Sequence, residues 1–329
     1  MKRVLGAALA AAVALAAGGA WAQDKRIALG ATNAQSSHYA YFAALANLLN
    51  EKADGIQASV VETGATVDNL KRMERGQLDA GLVTTTTLYH ANEGQYGFEG
   101  EPIDSKLLFA YSLAPQLVVV RRDSGIESLA DLDGREFGPG QRGSSTEATS
   151  EIVLGALGIE PDFVRGSNSE LANQIKDNRI PGFIKSAVGT KFDPLTTDIA
   201  TLSPLTVLPI PEERLETIRS EVPELSIVDM PADEQQNRPE PYKTWAFMIA
   251  VSASPELDEE TAYEIVKAVI EDDGEDGTGM QAAAFKPLEG VDIAQLTLDN
   301  ASTELHPGAI RAFEEAGYTV PDKLQPSDG

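Results

Sequence analysis

Three observations predict an α/β fold of two lobes, each a sheet flanked by helices. The first is a βαβαβ rhythm over residues 26–83, where short apolar strand segments alternate with helical apolar spacing. The second is a pair of strong apolar strand segments, near Leu117–Arg121 and Thr244–Val251, where the chain can cross between lobes. The third is the length of 329 residues, which suits about two domains with ample core.

The elements follow in order. Arg26–Gly30 reads as a strand, and Tyr39–Lys52 as a helix through Phe42, Leu45, Leu48 and Leu49. Gln57–Glu62 is a β-branched strand. Val67–Arg75 is a helix with Val67, Leu70 and Met73 on one face, and Ala80–Val83 is the next strand. Such a rhythm predicts parallel strands covered by helices, with right-handed crossovers. Lys106–Tyr111 and Leu117–Arg121 read as two strands parted by Ala114-Pro115. A short helix at Ser128–Leu132, a strand at Arg135–Gly138 and a helix at Thr146–Leu157 come next. Asn168–Asn178, Ile180–Lys185, Pro194–Thr201 and Leu205–Leu208 continue the alternation. Pro209–Arg238 is rich in Pro and Glu and reads as surface. Thr244–Val251 is a buried strand, Glu259–Ile270 a helix, and Pro307–Glu315 further helix. The lobes are then 23–117 plus 248–329, and 118–247.

Composition excludes several classes. Without cysteine there is no disulfide scaffold and no Cys-based zinc site. Fifty-one Asp and Glu against 26 Lys and Arg give a net charge of −25, which repels phosphate backbones and argues against nucleic-acid partners. A strongly acidic shell favours solubility and says little about the ligand, since it can surround a local positive pocket.

Residues 1–22 read as a secretory signal. Lys2 and Arg3 form the positive start, Val4–Ala17 the apolar run, and Ala20-Trp21-Ala22 the small-x-small cleavage site. The run is shorter than the ~20 residues a spanning helix needs. Cleavage after Ala22 would release an exported protein that is not membrane-embedded.

In open α/β sheets, ligands sit beyond the carboxyl ends of strands. The loop Thr32–Tyr39 follows the first strand, and its N–H groups and hydroxyls can hold an anion. The plainer reading is N-capping by Ser36 or Ser37. Thr84-Thr85-Thr86-Thr87 supplies more hydroxyls than one cap requires, although capping and β-propensity remain open. The sharpest local signal is Gly138–Glu147. There a glycine-rich turn frees N–H groups, Gly143, Ser144, Ser145 and Thr146 open a helix, and Arg142 offers a bidentate cation to a carboxylate. On this reading Arg142→Ala weakens ligand binding. Lys185 stands before Ser186, Ala187 and Val188 at another strand end, and faces either cleft or solvent.

Enzyme signatures are weak, and Ser144 or Ser145 with a distant His is a disfavoured alternative. His38, His90 and His306 lack metal-site spacing, no Gly-x-Ser-x-Gly elbow occurs, and the acidic run Glu271–Asp276 misses EF-hand spacing. No metal, cofactor or catalytic residue is expected.

The order of these segments resembles the TAXI family of solute-binding proteins of TRAP transporters, over nearly the whole mature chain. The pieces that carry it are Ile27–Tyr39 leading into Ala43–Asn50, Glu62–Leu70, Gly76–Val83, Asp123–Gly134, Gly143–Thr149 and Leu305–Ile310. The family's first loop is typically Gly-Thr-Gly-x-x-Gly-Gly-x-Tyr-Tyr. Here Asn33 and Ser36 stand at glycine places and His38 at the first tyrosine, while Tyr39 keeps the second. Thr84-Thr85 replaces a usual Gln-Ser pair, and Ala187-Val188-Gly189-Thr190 a usual Ala-Gly-x-Pro.

The resemblance implies a periplasmic, non-enzymatic receptor with a type II-like periplasmic binding protein fold. It would close on a small organic anion, such as a dicarboxylate, an oxoacid or a glutamate-like amino acid. It would then deliver that ligand to an ion-gradient-driven TRAP permease. The departures fall in the expected pocket, with Tyr39 and Asn33 as candidates over the ligand's far end. Two rival functions are a sensory module for a receptor kinase and an exported enzyme on the same fold.

Overall fold

The computed structural model describes residues 25–326 apart from 33, 35, 96–97, 143 and 275–276. The expected signal at 1–22 and the candidates Asn33 and Gly143 lie outside the described residues.

The chain opens with β1 (Lys25–Gly30), α1 (Ser37–Lys52), β2 (Ile56–Val61), α2 (Thr66–Glu74), β3 (Ala80–Thr84) and α3 (Thr85–Asn92). The long strand β4 (Leu107–Arg121) leads to a 3₁₀ turn at Leu129–Leu132, β5 (Glu136–Phe137), α4 (Ser145–Ala156), β6 (Asp162–Phe163) and α5 (Asn168–Lys176). Then come β7 (Gly182–Ser186), α6 (Pro194–Leu202), β8 (Leu205–Leu208), α7 (Leu215–Glu221) and β9 (Ser226–Met230). The second long strand, β10 (Tyr242–Ala253), precedes α8 (Glu259–Asp273), α9 (Met280–Ala284), α10 (Ile293–Asn300) and α11 (Pro307–Glu315).

The main sheet runs β2-β1-β3-β10-β4-β7, with β8 also on β4 and β9 also on β10. β1 pairs in parallel with β2 and β3, as the βαβαβ rhythm predicts. β10 lies antiparallel to both β3 and β4. The apolar cores divide along the same line. One joins residues of 27–111 to residues of 248–324, including Leu29, Phe42, Phe109, Val251 and Phe313. Two others lie within 114–247, on opposite faces of β4. Val118 and Val120 pack with Val153 and Leu154, whereas Leu117 and Val119 pack with Leu171 and Phe183. Strand alternation sends successive side chains to opposite faces, so this sheet is covered on both sides.

Two expectations are corrected. The strands expected at Lys106–Tyr111 and Leu117–Arg121 are one continuous strand. Pro115, which has no N–H to donate, sits where β4 leaves β10 and takes β7, opposite Ala246 on one side. Its carbonyl still accepts from Ala187 N–H at 2.8 Å. The stretch Pro209–Arg238 is not all surface. Leu215, Ile218 and Val222 recur at helical spacing beneath a Glu- and Arg-rich exterior and are buried with Leu225.

A polar lock holds β1 against β3. Asn69 on α2 is fully buried, and its Nδ2 donates to the carbonyls of Gly30 (3.3 Å), Ala31 (2.9 Å) and Leu82 (2.8 Å). Both strands yield to it. A Cβ on Gly30 would meet Asn69 Oδ1 at 2.6 Å, and one on Gly81 would meet Asn69 Cβ at 3.2 Å. Asn69→Ala strands buried carbonyls and is expected to cost about 1–3 kcal/mol. Urea unfolding measures it, and an unchanged midpoint would refute the lock.

Candidate functional site

The strand ends deliver their loops to one cleft. β1 runs into Ser36, whose hydroxyl caps α1 by accepting from His38 N–H at 3.2 Å. β3 passes directly into α3 at Thr84-Thr85. From the other lobe come the start of α4 and the end of β7. Together they enclose a cavity of about 1090 Å³. Its floor is the pair of long strands, through Ser112, Leu113, Ala114, Phe247 and Ile249.

Hydroxyls meet across the cleft. Thr84 Oγ1 lies 3.0 Å and Thr87 Oγ1 3.3 Å from Ser145 Oγ. On the second lobe Thr146 Oγ1 lies 3.1 Å from Ser186 Oγ, which also receives the buried Gln116 amide at 3.1 Å. Lys185 reaches Asp193 at 3.4 Å, and Asp193 caps α6 by accepting from Thr196 N–H at 3.0 Å.

His38 is a half-buried imidazole at the first-lobe end of the cavity. Its Nδ1 lies 3.1 Å from the Tyr111 hydroxyl, and the Phe285 ring sits 5.2 Å from its own. Burial lowers its pKa from 6.5 to about 4, so the ring is neutral at pH 7. Burial also raises Tyr111, which keeps its proton. Which of the two donates follows the tautomer of the ring.

Of the sequence candidates, Ser36, Ser37, His38, Thr84, Ser144, Ser145, Thr146, Lys185, Ser186, Ala187 and Val188 line this cavity. Tyr39, Thr85 and Arg142 do not. Tyr39 packs against the first core. Thr85 is 1% exposed, and its hydroxyl accepts from Met248 N–H at 3.3 Å. Arg142 is exposed on the far side of its turn, with its guanidinium on the Arg165 carbonyl at 3.4 Å. The anion cradle expected at Gly138–Glu147 is narrowed, because the chain occupies three of its donors. Arg142 N–H goes to Gly166 O, Ser144 N–H to Gln141 O and Glu147 N–H to Ser144 Oγ, at 2.9, 3.0 and 3.2 Å.

Sequence reasoning missed the strand floor, the Gly64–Val67 turn, Phe285, and the acids Glu147, Glu151 and Asp193. The turn after β2 is also a strand-end loop, and that rule, applied to every strand, would have found it. There Ala65 holds φ +70°, a conformation rare for a residue with a Cβ. Glu147 and Glu151 both bind Arg165, the former at 2.5 Å.

A family model described as the NMT1-like family matches residues 29–317. The chain belongs to the NMT1-like family. Solved structures similar to this NMT1-like chain include XAC2383 from Xanthomonas citri bound to ATP. It shares 13% identity over 88% of this chain and 94% of that one, with a TM-score of 0.54. The same protein bound to chloride ion gives 14%, 88%, 95% and 0.50. A TctC solute binding protein from Polaromonas, with no ligand, gives 13%, 88%, 96% and 0.49. At these identities the likeness to XAC2383 concerns the fold alone, a two-lobed α/β architecture.

The depressed His38 pKa carries a sign. The unfolded chain takes up this proton below about pH 6.5 and the folded chain only near 4. Its contribution is therefore intact above pH 6.5 and is lost as pH falls toward 4. His306, also lowered by burial, acts in the same direction. NMR titration should place the His38 ring near 4, and His38→Gln should flatten part of the fall in urea midpoint. A ring titrating near 6.5 would overturn the assignment.

Proposed function

We propose that this NMT1-like chain is an exported, periplasmic solute-binding receptor that captures a small organic anion between its lobes and passes it to a membrane permease. The observation that carries the reading is the cavity of about 1090 Å³ walled by both lobes, with Thr84 and Thr87 meeting Ser145 across it. Such a cleft gives a solute contacts that exist only when the lobes are together, so binding shifts the population toward the closed form. The lobes are taken as 23–117 plus 248–329, and 118–247, which agrees with the division of the apolar cores. The anionic head is assigned to Lys185 with Ser186 and Thr146. The resemblance to the TAXI family supports a TRAP permease as the receiving partner and a receptor rather than an enzyme. Among the described residues no helix is long and apolar enough to cross a membrane.

A thermal-shift screen against dicarboxylates, oxoacids, apolar monocarboxylates and amino acids tests this. A ligand that binds only the folded state raises Tm with concentration, by about 2.7 kcal/mol of stability at a hundred times Kd. No shift across the panel, or chemical turnover of a bound compound, would overturn the receptor reading. Arg142→Ala should leave the affinity of any hit within about twofold, as expected of a surface change away from the site.

A further inference from the structure

The walls of the cleft narrow the class of solute. Two cationic side chains line the cavity among the described residues, Lys185 and Lys286. Lys286 has an 80% exposed side chain and is engaged with Glu289 at 3.3 Å, which leaves Lys185 as the cation within. Against it stand three lining carboxylates, Glu147, Glu151 and Asp193. One negative head can share Lys185 with Asp193. A second would find no further inward cation, since Arg165 is engaged by Glu147 and Glu151, and a desolvated charge without a partner is costly.

Beside the hydroxyls, much of the wall is carbon. Leu82, Leu113, Ile152, Phe247 and Ile249 face the same space, and a compact dicarboxylate would leave most of that volume unfilled. The rim agrees independently. Val67 and Val188 are two of three large hydrophobic side chains standing exposed among the described residues, at 43% and 53%. Both line the cavity, one from each lobe. Apolar surface held open at a binding cleft marks where a partner covers it. At the first-lobe end, His38 beside Phe285 presents a neutral ring rather than a second charge.

We infer that the solute is an organic monoanion with a bulky apolar body, of the arylalkanoate or alicyclic carboxylate class. Its head lies against Lys185, and its body lies between the apolar walls and the valine lips. The inference rests on the receptor reading and specifies its ligand.

Calorimetry on the purified protein with phenylacetate and cyclohexanecarboxylate, against succinate, 2-oxoglutarate and glutamate, tests it. The first pair should bind at least tenfold more tightly. Lys185→Met should weaken that pair more than tenfold, and Lys185→Arg should restore most of the loss. The double variant Val67→Thr/Val188→Thr alters exposed side chains and should keep its melting temperature. It should weaken the apolar pair by about three- to tenfold, the effect of exchanging covered methyl groups for hydroxyls. Tighter binding of a dicarboxylate or glutamate would overturn the solute class and leave the receptor standing. No heat with any of the five would sink both. Unchanged affinity in the valine double variant would overturn the placement of the body.

Discussion

The antiparallel pair of β4 and β10 is the constraint on which the other features depend. β4 has fifteen residues and β10 twelve, and their shared ladder runs from Leu107 opposite Ser252 to Pro115 opposite Ala246. At one end β10 takes β3 and the first-lobe sheet. At the other, β4 takes β7 and β8 while β10 takes β9. The lobes are therefore joined by a hydrogen-bonded ribbon rather than by free linkers. Ser112 to Ala114 and Phe247 to Ile249 lie midway along it, so the hinge region and the cleft floor are the same residues. The ladder's register shifts fall at Ile249/Ala250 and Val251/Ser252, beside that floor. Bulges bend and twist a strand locally, which sets the relative tilt of the two lobes near the site.

Across this ribbon the lobes touch through weak contacts. The hydroxyl bonds of Thr84 and Thr87 with Ser145 are neutral, and each is worth about 0.5–1.5 kcal/mol net. His90 adds a 3.0 Å contact to Glu224 across the same divide. Contacts of this size hold the closed arrangement without locking it, so a solute with differential affinity can decide the balance. Other polar ties stay inside each lobe. Asn69 ties β1 to β3, and Gln116 ties β4 to β7 through Ser186.

The sequence made the local elements legible because their signals are local. Ser36, Ser144, Asp193 and Asp258 all cap the helices that follow them. The first lobe's parallel order followed from the spacing of Leu45, Leu70 and their neighbours. Pro115 misled because its missing N–H looked like a break, and only the change of strand partner shows why it is tolerated. Arg142 misled for a related reason. Gly140, at φ +123°, folds its turn so closely onto α4 that a Cβ there would sit 2.9 Å from Glu147 N, so the turn closes on its own donors. The floor residues were invisible as a site, because Leu113, Phe247 and Ile249 carry the pattern of any core strand. Only topology separates a strand that fills a core from one that floors a cleft.

Charge outside and charge inside answer to different physics. The chain carries −25 overall, yet its cleft offers an anion one inward lysine. The acidic shell acts through water, where the screening length is about 8 Å at physiological salt. It can slow the approach of an anion but contributes little once the solute is seated. Lys185 acts at contact distance in a cavity largely walled by hydrocarbon, where the same Coulomb interaction is several times larger. On the proposed reading the shell would govern the association rate and its salt dependence, whereas Lys185 and the apolar wall would govern residence. Added salt screens the shell more than it weakens a buried contact, so the proposed anionic solute would enter faster while its grip stayed nearly intact.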